Sequence, residues 1–341
     1  MKGPGAVRSY IVRVLNGMAQ GLFASLIIGL ILKQIGVYTG WGLLEQFGTF
    51  AQLMMGPAIG AGVAFAVNAS PLGMVASIIT GAIGAGTVVL VPGAAPSLII
   101  GEPVGALIAA LIGAEASRLI QGRTRVDIIL VPAVTIIVGG ATGVLIAPVV
   151  ASFMSALGGF INYLTTLYPF PMGVLVAVTM GMILTLPISS AAIAISLGLS
   201  GLAAGAATVG CACQMVGFAV SSYRENKFGG LISQGLGTSM IQIPNIVKNW
   251  RIWIAPTVAS AVLGPVATVL FKMENNSIGA GMGTSGLVGQ FSTIEVMGSS
   301  ALPAILLLHV LLPAAIALII SEVLRKKGWI AFGDMALHVN K

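Results

Sequence analysis

Charge is what this chain has least of: 7% of its 341 residues are Asp, Glu, Lys or Arg, where a soluble domain carries about a quarter. That excludes an ordinary water-soluble globule. Cysteine is almost absent, and both copies, Cys211 and Cys213, fall inside one apolar run, which excludes a disulfide framework. Without a metal-type partner set they read as packing residues, and no metal is expected. The chain has no Walker motif, no nucleotide fingerprint and no zinc-binding helix motif, which argues against an ATP-driven pump or a membrane protease. No catalytic residue and no cofactor is expected. Period-two alternation is missing too, which removes the β-barrel. The N-terminus lacks a small-residue cleavage site behind a short apolar core, so no cleaved signal peptide is expected.

What is present is apolar: 57% of residues are hydrophobic, in continuous runs rich in Ala, Leu and Ile, with 46 glycines among them. Small residues let membrane helices approach closely. The expected fold is an all-α polytopic integral membrane protein with about eight to ten hydrophobic segments at about 20 residues per crossing, two of them re-entrant or broken-helix hairpins. The lipid bilayer is its first partner. The net charge of +7 comes in short clusters between apolar runs: Lys2, Arg8 and Arg13, then Arg118, Arg123 and Arg125, then Arg224 and Lys227, then Arg325, Lys326 and Lys327. This is the positive-inside pattern and not a nucleic-acid patch, so no nucleic-acid partner is expected and both termini are expected in the cytoplasm. The first span is expected over about 18–35, behind an interfacial segment at 1–13. Residues 37–48 are expected as a polar-aromatic loop, and the last span over 304–320.

The polar interruptions carry the functional signal. Residues 235–256, GLGTSMIQIPNIVKNWRIWIAP, begin as a membrane segment and then place Gln242, Pro244 and Asn245 in succession. Broken backbone at that depth is tolerated only where protein or a watery cavity surrounds it, and discontinuous helices point to a transporter's midplane site. The competing reading is a helix that ends at Pro244 with its amides at the interface. Ser189 and Ser190 follow Pro187 in the same way, although serines in membrane helices often bond only backbone. Asn68 and Ser70 beside Pro71 form either a turn or a ligand contact. Glu295 is an acid that is expensive if buried in hydrocarbon and unremarkable if it lies in a solvated loop. His309, among leucines, reads as a proton shuttle or as a group hydrogen-bonded between helices. Glu102 suits a helix start.

Over about residues 54–327 the chain resembles the fructose-type IIC subunit of the bacterial phosphoenolpyruvate-dependent sugar phosphotransferase system (PTS EIIC). Within it, the stand-alone subgroup of perfringolysin O regulator-type membrane proteins is the nearest likeness. GPAIGAGVAFAVNASPLG resembles that family's second span and following loop, and GEPVGALIAALIGAEASRLI its glycine-rich helix before a basic loop. VPAVTIIVGGATGVLIAPVVASFMSALGGFINYL is similar to its central span, PISSAAIAI to its proline motif, and GTSMIQIPNIV falls where the family has an Ile-Thr-Glu-Gly-x-Ile-Pro-Phe loop. The resemblance implies a scaffold and dimerisation half over 1–160 and a ligand-carrying half over 161–341. It also implies a homodimer in the bacterial inner membrane, a small polar sugar-like solute and a cytosolic phosphocarrier or regulatory partner.

The departures are chemical. Gln242 stands where the family has a glutamate, and ENNSIGAGMGTSGLVG replaces a Pro-His-Gly-Gly motif without its histidine. A glutamine hydrogen-bonds a polyol but cannot serve as general base at a hydroxyl. The expected function is a IIC-like permease that binds its solute through Gln242, Asn245, Ser189 and Ser190, with Glu295 and Asn68 as further candidates, and without the usual phosphotransfer chemistry. The alternative is a membrane sensor that kept the IIC fold and does not transport.

Overall fold

A segment in hydrocarbon must satisfy its own backbone N–H and C=O groups, and an α-helix does so within a single segment. The structure, a computed structural model that describes residues 4–89, 93 and 95–337, is accordingly helical along most of its length. Among these residues six helices are long and apolar enough to cross a membrane, or up to seven if one bent pair counts as a span, and two shorter apolar helices accompany them. The chain divides into two compact units, Met1–Phe153 and Met154–Lys341.

In the first unit α1 (Pro4–Leu22) passes through a π turn (Phe23–Ile27) into α2 (Ile28–Thr39), which Gly40 ends in the left-handed region. The first candidate span is therefore Ser9–Thr39, earlier than the 18–35 read from hydropathy. Nothing between Pro4 and Gly40 breaks a helix, and Gly17 is a packing position whose Cβ would overlap the Gly62 carbonyl. The expected loop at 37–48 is likewise mostly helix: only Gly40 and Trp41 interrupt, before α3 (Gly42–Leu53) meets α4 (Met55–Ala66) at 55°. Asn68 turns the chain with φ 57°, and the Ser70 hydroxyl accepts from the Gly73 N–H to cap α5 (Pro71–Ala85). A two-residue ribbon of β1 (Val88–Val89) and β2 (Ser97–Leu98) follows, too short to alter the all-α class. Then come α6 (Pro103–Ile120) and α7 (Asp127–Thr165).

In the second unit α8 (Pro169–Thr185), α9 (Ser190–Ser196) and α10 (Gly201–Ser221) lead to α11 (Tyr223–Ile232), α12 (Ile243–Lys248) and α13 (Ile254–Pro265). After these come α14 (Ser277–Ala280), α15 (Val288–Met297), α16 (Leu302–Ile305) and α17 (Leu312–Lys326). The organising element is α10, buried on all sides, as a helix apolar all round should be. It packs against α8, α13 and α17. Small residues make this possible: a Cβ at Gly210 would overlap the Ala177 carbonyl of α8. The last span widens into a π turn at Leu306–Leu311, just before Pro313, which has no N–H for the His309 carbonyl four residues back.

Candidate functional site

Three helix breaks of the second unit meet on α10. At the first, α8 stops where Leu186 turns extended and Pro187 removes a donor, and α9 restarts at Ser190. The second is the polar run predicted from sequence: a π turn (Ser233–Gly237), extended Thr238, a 3₁₀ turn (Ser239–Gln242), then α12. Pro244 lies in the first turn of α12, so it opens a helix and does not end one. The third is the glycine-rich stretch between α14 and α15, where Gly283 and Gly286 adopt positive φ and a side chain at Gly283 would run into Cys211 of α10.

Side chains tie the breaks together in pairs. Thr185 and Ser239 share a 2.8 Å hydroxyl contact joining the first to the second. Ser190 Oγ donates to the Gly281 carbonyl at 2.6 Å, joining the first to the third. Thr284 and Ser285 donate to the Gly235 and Gly237 carbonyls, joining the third to the second. Behind them stands Gln214 of α10, whose Oε1 accepts from Trp253 Nε1 at 2.9 Å and from Thr185 at 3.3 Å, while its Nε2 donates to Thr257. A chain of carboxamides continues along the second break. Gln234 Nε2 donates to Ser222 Oγ, Gln242 Nε2 to Gln234 Oε1, and Asn245 Nδ2 to Gln242 Oε1, each at 2.8 Å. The far donors of this chain reach the C-terminal segment, Gln242 to the Met335 carbonyl at 3.0 Å and Asn245 to the Ala336 carbonyl at 2.9 Å. Neutral donors and acceptors in alternation bond one another here, and the same groups can bond a polar uncharged molecule.

Residues 12–337 match the family described as Phosphotransferase system, EIIC. The chain belongs to that family. Its members are the membrane permease components of the system, and membership implies a sugar substrate and a cytosolic EIIB partner. No curated protein and no solved structure matches the chain.

Of the residues of this EIIC chain singled out from sequence, Gln242 and Asn245 are buried and bonded to each other, and Ser190 is buried at the junction of two breaks. Ser189 lies beside it, half-buried, its carbonyl accepting from Ile193 N–H. Glu295 is exposed on α15, where it accepts from Asn276 Nδ2 at 3.2 Å, and does not join the others. Asn68 belongs to the first unit and is exposed on its turn. His309 is fully buried with Nδ1 3.0 Å from Gln290 Nε2, an interhelical hydrogen bond. Sequence reasoning missed Gln214, Gln234 and Ser239. Gln214 carried a usable signal, an amide midway along an otherwise apolar helix, whereas nothing local marks Ser239 apart from any other membrane serine.

Proposed function

We propose that this EIIC chain is a fructose-type permease, of the perfringolysin O regulator-type subgroup, that holds a small sugar or sugar derivative where the three breaks converge on α10. Gln242, Asn245, Ser189 and Ser190 would bond its hydroxyls, with Thr185, Ser239 and Gln214 behind them. The observation that carries the reading is the pairwise tying of the three breaks. Backbone interrupted three times at one place, each time with buried hydroxyls and amides, has no use in a merely structural bundle. Transport would follow rocking or elevator movement of the second unit's helices around the site. Glu295, exposed on α15 and outside this cluster, would couple the movement to a cation or face a cationic solute group. The basic clusters would put both termini in the cytoplasm of a bacterial inner membrane, and the first unit would serve as the scaffold of a homodimer. Gln242 offers no general base, so phosphorylation chemistry of the usual kind is not assigned to it.

One observation favours the second reading, a membrane sensor that does not transport: both amide hydrogens of Gln242 already go to acceptors of the protein itself. Thermal stabilisation of the purified protein by a panel of sugars and polyols separates site from no site. A solute at 100 times its dissociation constant adds about 2.7 kcal/mol, and Gln242→Ala and Ser189→Ala should abolish the shift. Binding without uptake in proteoliposomes would favour the sensor, and no shift with any solute would remove both solute-binding readings.

A further inference from the structure

Past α17 the chain runs Trp-Ile-Ala-Phe-Gly-Asp-Met-Ala-Leu, mostly apolar with a single charge, and these residues, 329–337, are seated against the second break. Ile330 and Met335 are buried, Met335 completely. The Trp329 ring lies under two cations, Arg251 at 5.2 Å and Lys327 at 5.8 Å from its centre. Asp334 Oδ2 accepts from Asn249 Nδ2 at 2.7 Å and from the Ala331 N–H at 2.8 Å, which closes the turn. Four carboxamides then grip the segment's backbone. Asn226 donates to the Met335 carbonyl and accepts from the Leu337 N–H, both at 2.8 Å. Asn249 donates to the Trp329 carbonyl at 2.9 Å, while Gln242 and Asn245 donate to the Met335 and Ala336 carbonyls. Asn226 thus pairs with a backbone N–H and a backbone C=O of the segment at once, using both the donor and the acceptor of its amide.

Two of those four carboxamides, Gln242 and Asn245, are the donors assigned above to the solute. We infer that residues 329–337 are an intramolecular occupant of the candidate site, a plug that competes with the solute for the Gln242 and Asn245 amide hydrogens. A carbonyl oxygen and a sugar hydroxyl oxygen are equivalent acceptors to an N–H donor, so the plug satisfies the buried amides when no solute is bound and must leave before they can turn to one. The apparent affinity for solute is then reduced by the fraction of molecules in which the plug is out. The competition rests on the solute site proposed above; the seating of the segment does not.

The test uses the full-length protein and two substitutions that loosen the plug without touching either shared amide, Asn226→Ala and Asp334→Ala. Hydrogen–deuterium exchange reads the amides of residues 329–337, and equilibrium binding of D-fructose reads the site. The expected result is slow exchange in the parent, faster exchange on adding D-fructose, and D-fructose binding tighter by about fivefold in both variants. Exchange that D-fructose leaves unchanged while it binds, or loosened variants with the parent's affinity, would overturn the competition. If D-fructose binds no form, it is fructose as the solute that fails, and exchange alone judges the plug. Exchange about tenfold faster in Gln242→Ala and Asn245→Ala than in the parent would support it, and equal exchange in all forms would overturn it.

Discussion

Thr185 Oγ1 lies 2.8 Å from Ser239 Oγ, both fully buried, and this contact fastens the end of α8 to a helix break 54 residues further on. A buried hydroxyl pair contributes about 1 kcal/mol net, and removing one partner strands the other. Thr185→Val and Ser239→Ala should each destabilise the protein by about 1–2 kcal/mol, and the double variant by less than their sum. SDS titration from mixed micelles measures this. Strictly additive losses would mean that the two hydroxyls do not act on each other.

Two ion pairs of equal length should differ sharply in worth. Arg325 and Glu225 meet at 2.8 Å with side chains only 9% and 1% exposed, whereas Arg224 and Glu322, also at 2.8 Å, are 60% and 31% exposed. Breaking a buried pair leaves an uncompensated charge and costs about 3–5 kcal/mol; an exposed pair is worth under about 1 kcal/mol. Arg325→Met should therefore unfold at much lower SDS than the parent, and Arg224→Met at nearly the parent's value.

Glycines on α10 and on α7 should respond in opposite directions. A Cβ at Gly210 would meet the Ala177 backbone, while one at Gly159 would meet nothing within 4 Å. Gly210→Ala should cost about 1–3 kcal/mol through overpacking, and Gly159→Ala should gain up to about 1 kcal/mol of helix propensity. Thermal melts in one detergent check both.

The breaks were legible because Pro187 with two serines, and Pro244 between Gln242 and Asn245, are conspicuous in apolar runs. What they touch was not. The Met335 carbonyl that Gln242 reaches lies 93 residues away, and a backbone acceptor leaves no mark in sequence. The true start of the first helix was hidden by charge: Arg8 and Arg13 lower hydropathy without breaking a helix, so the segment before residue 18 reads as interface. Residues 42–48 were hidden by composition, since Glu45, Gln46 and two glycines look like loop but contain no breaker. The bent pair they form with α4 depends on tertiary packing, which outweighs such weak propensities.

Solute that binds where the breaks converge, and not elsewhere on the chain, should feel substitutions there alone. The measurement is isothermal titration with the sugar that stabilises the parent protein, repeated on Gln242→Ala, Ser190→Ala and Asn68→Ala. Loss of about tenfold in affinity, the 1.4 kcal/mol of one hydrogen bond, is expected for the first two, with Asn68→Ala binding as the parent does. Parent-like affinity in Gln242→Ala and Ser190→Ala, or a loss confined to Asn68→Ala, would contradict it.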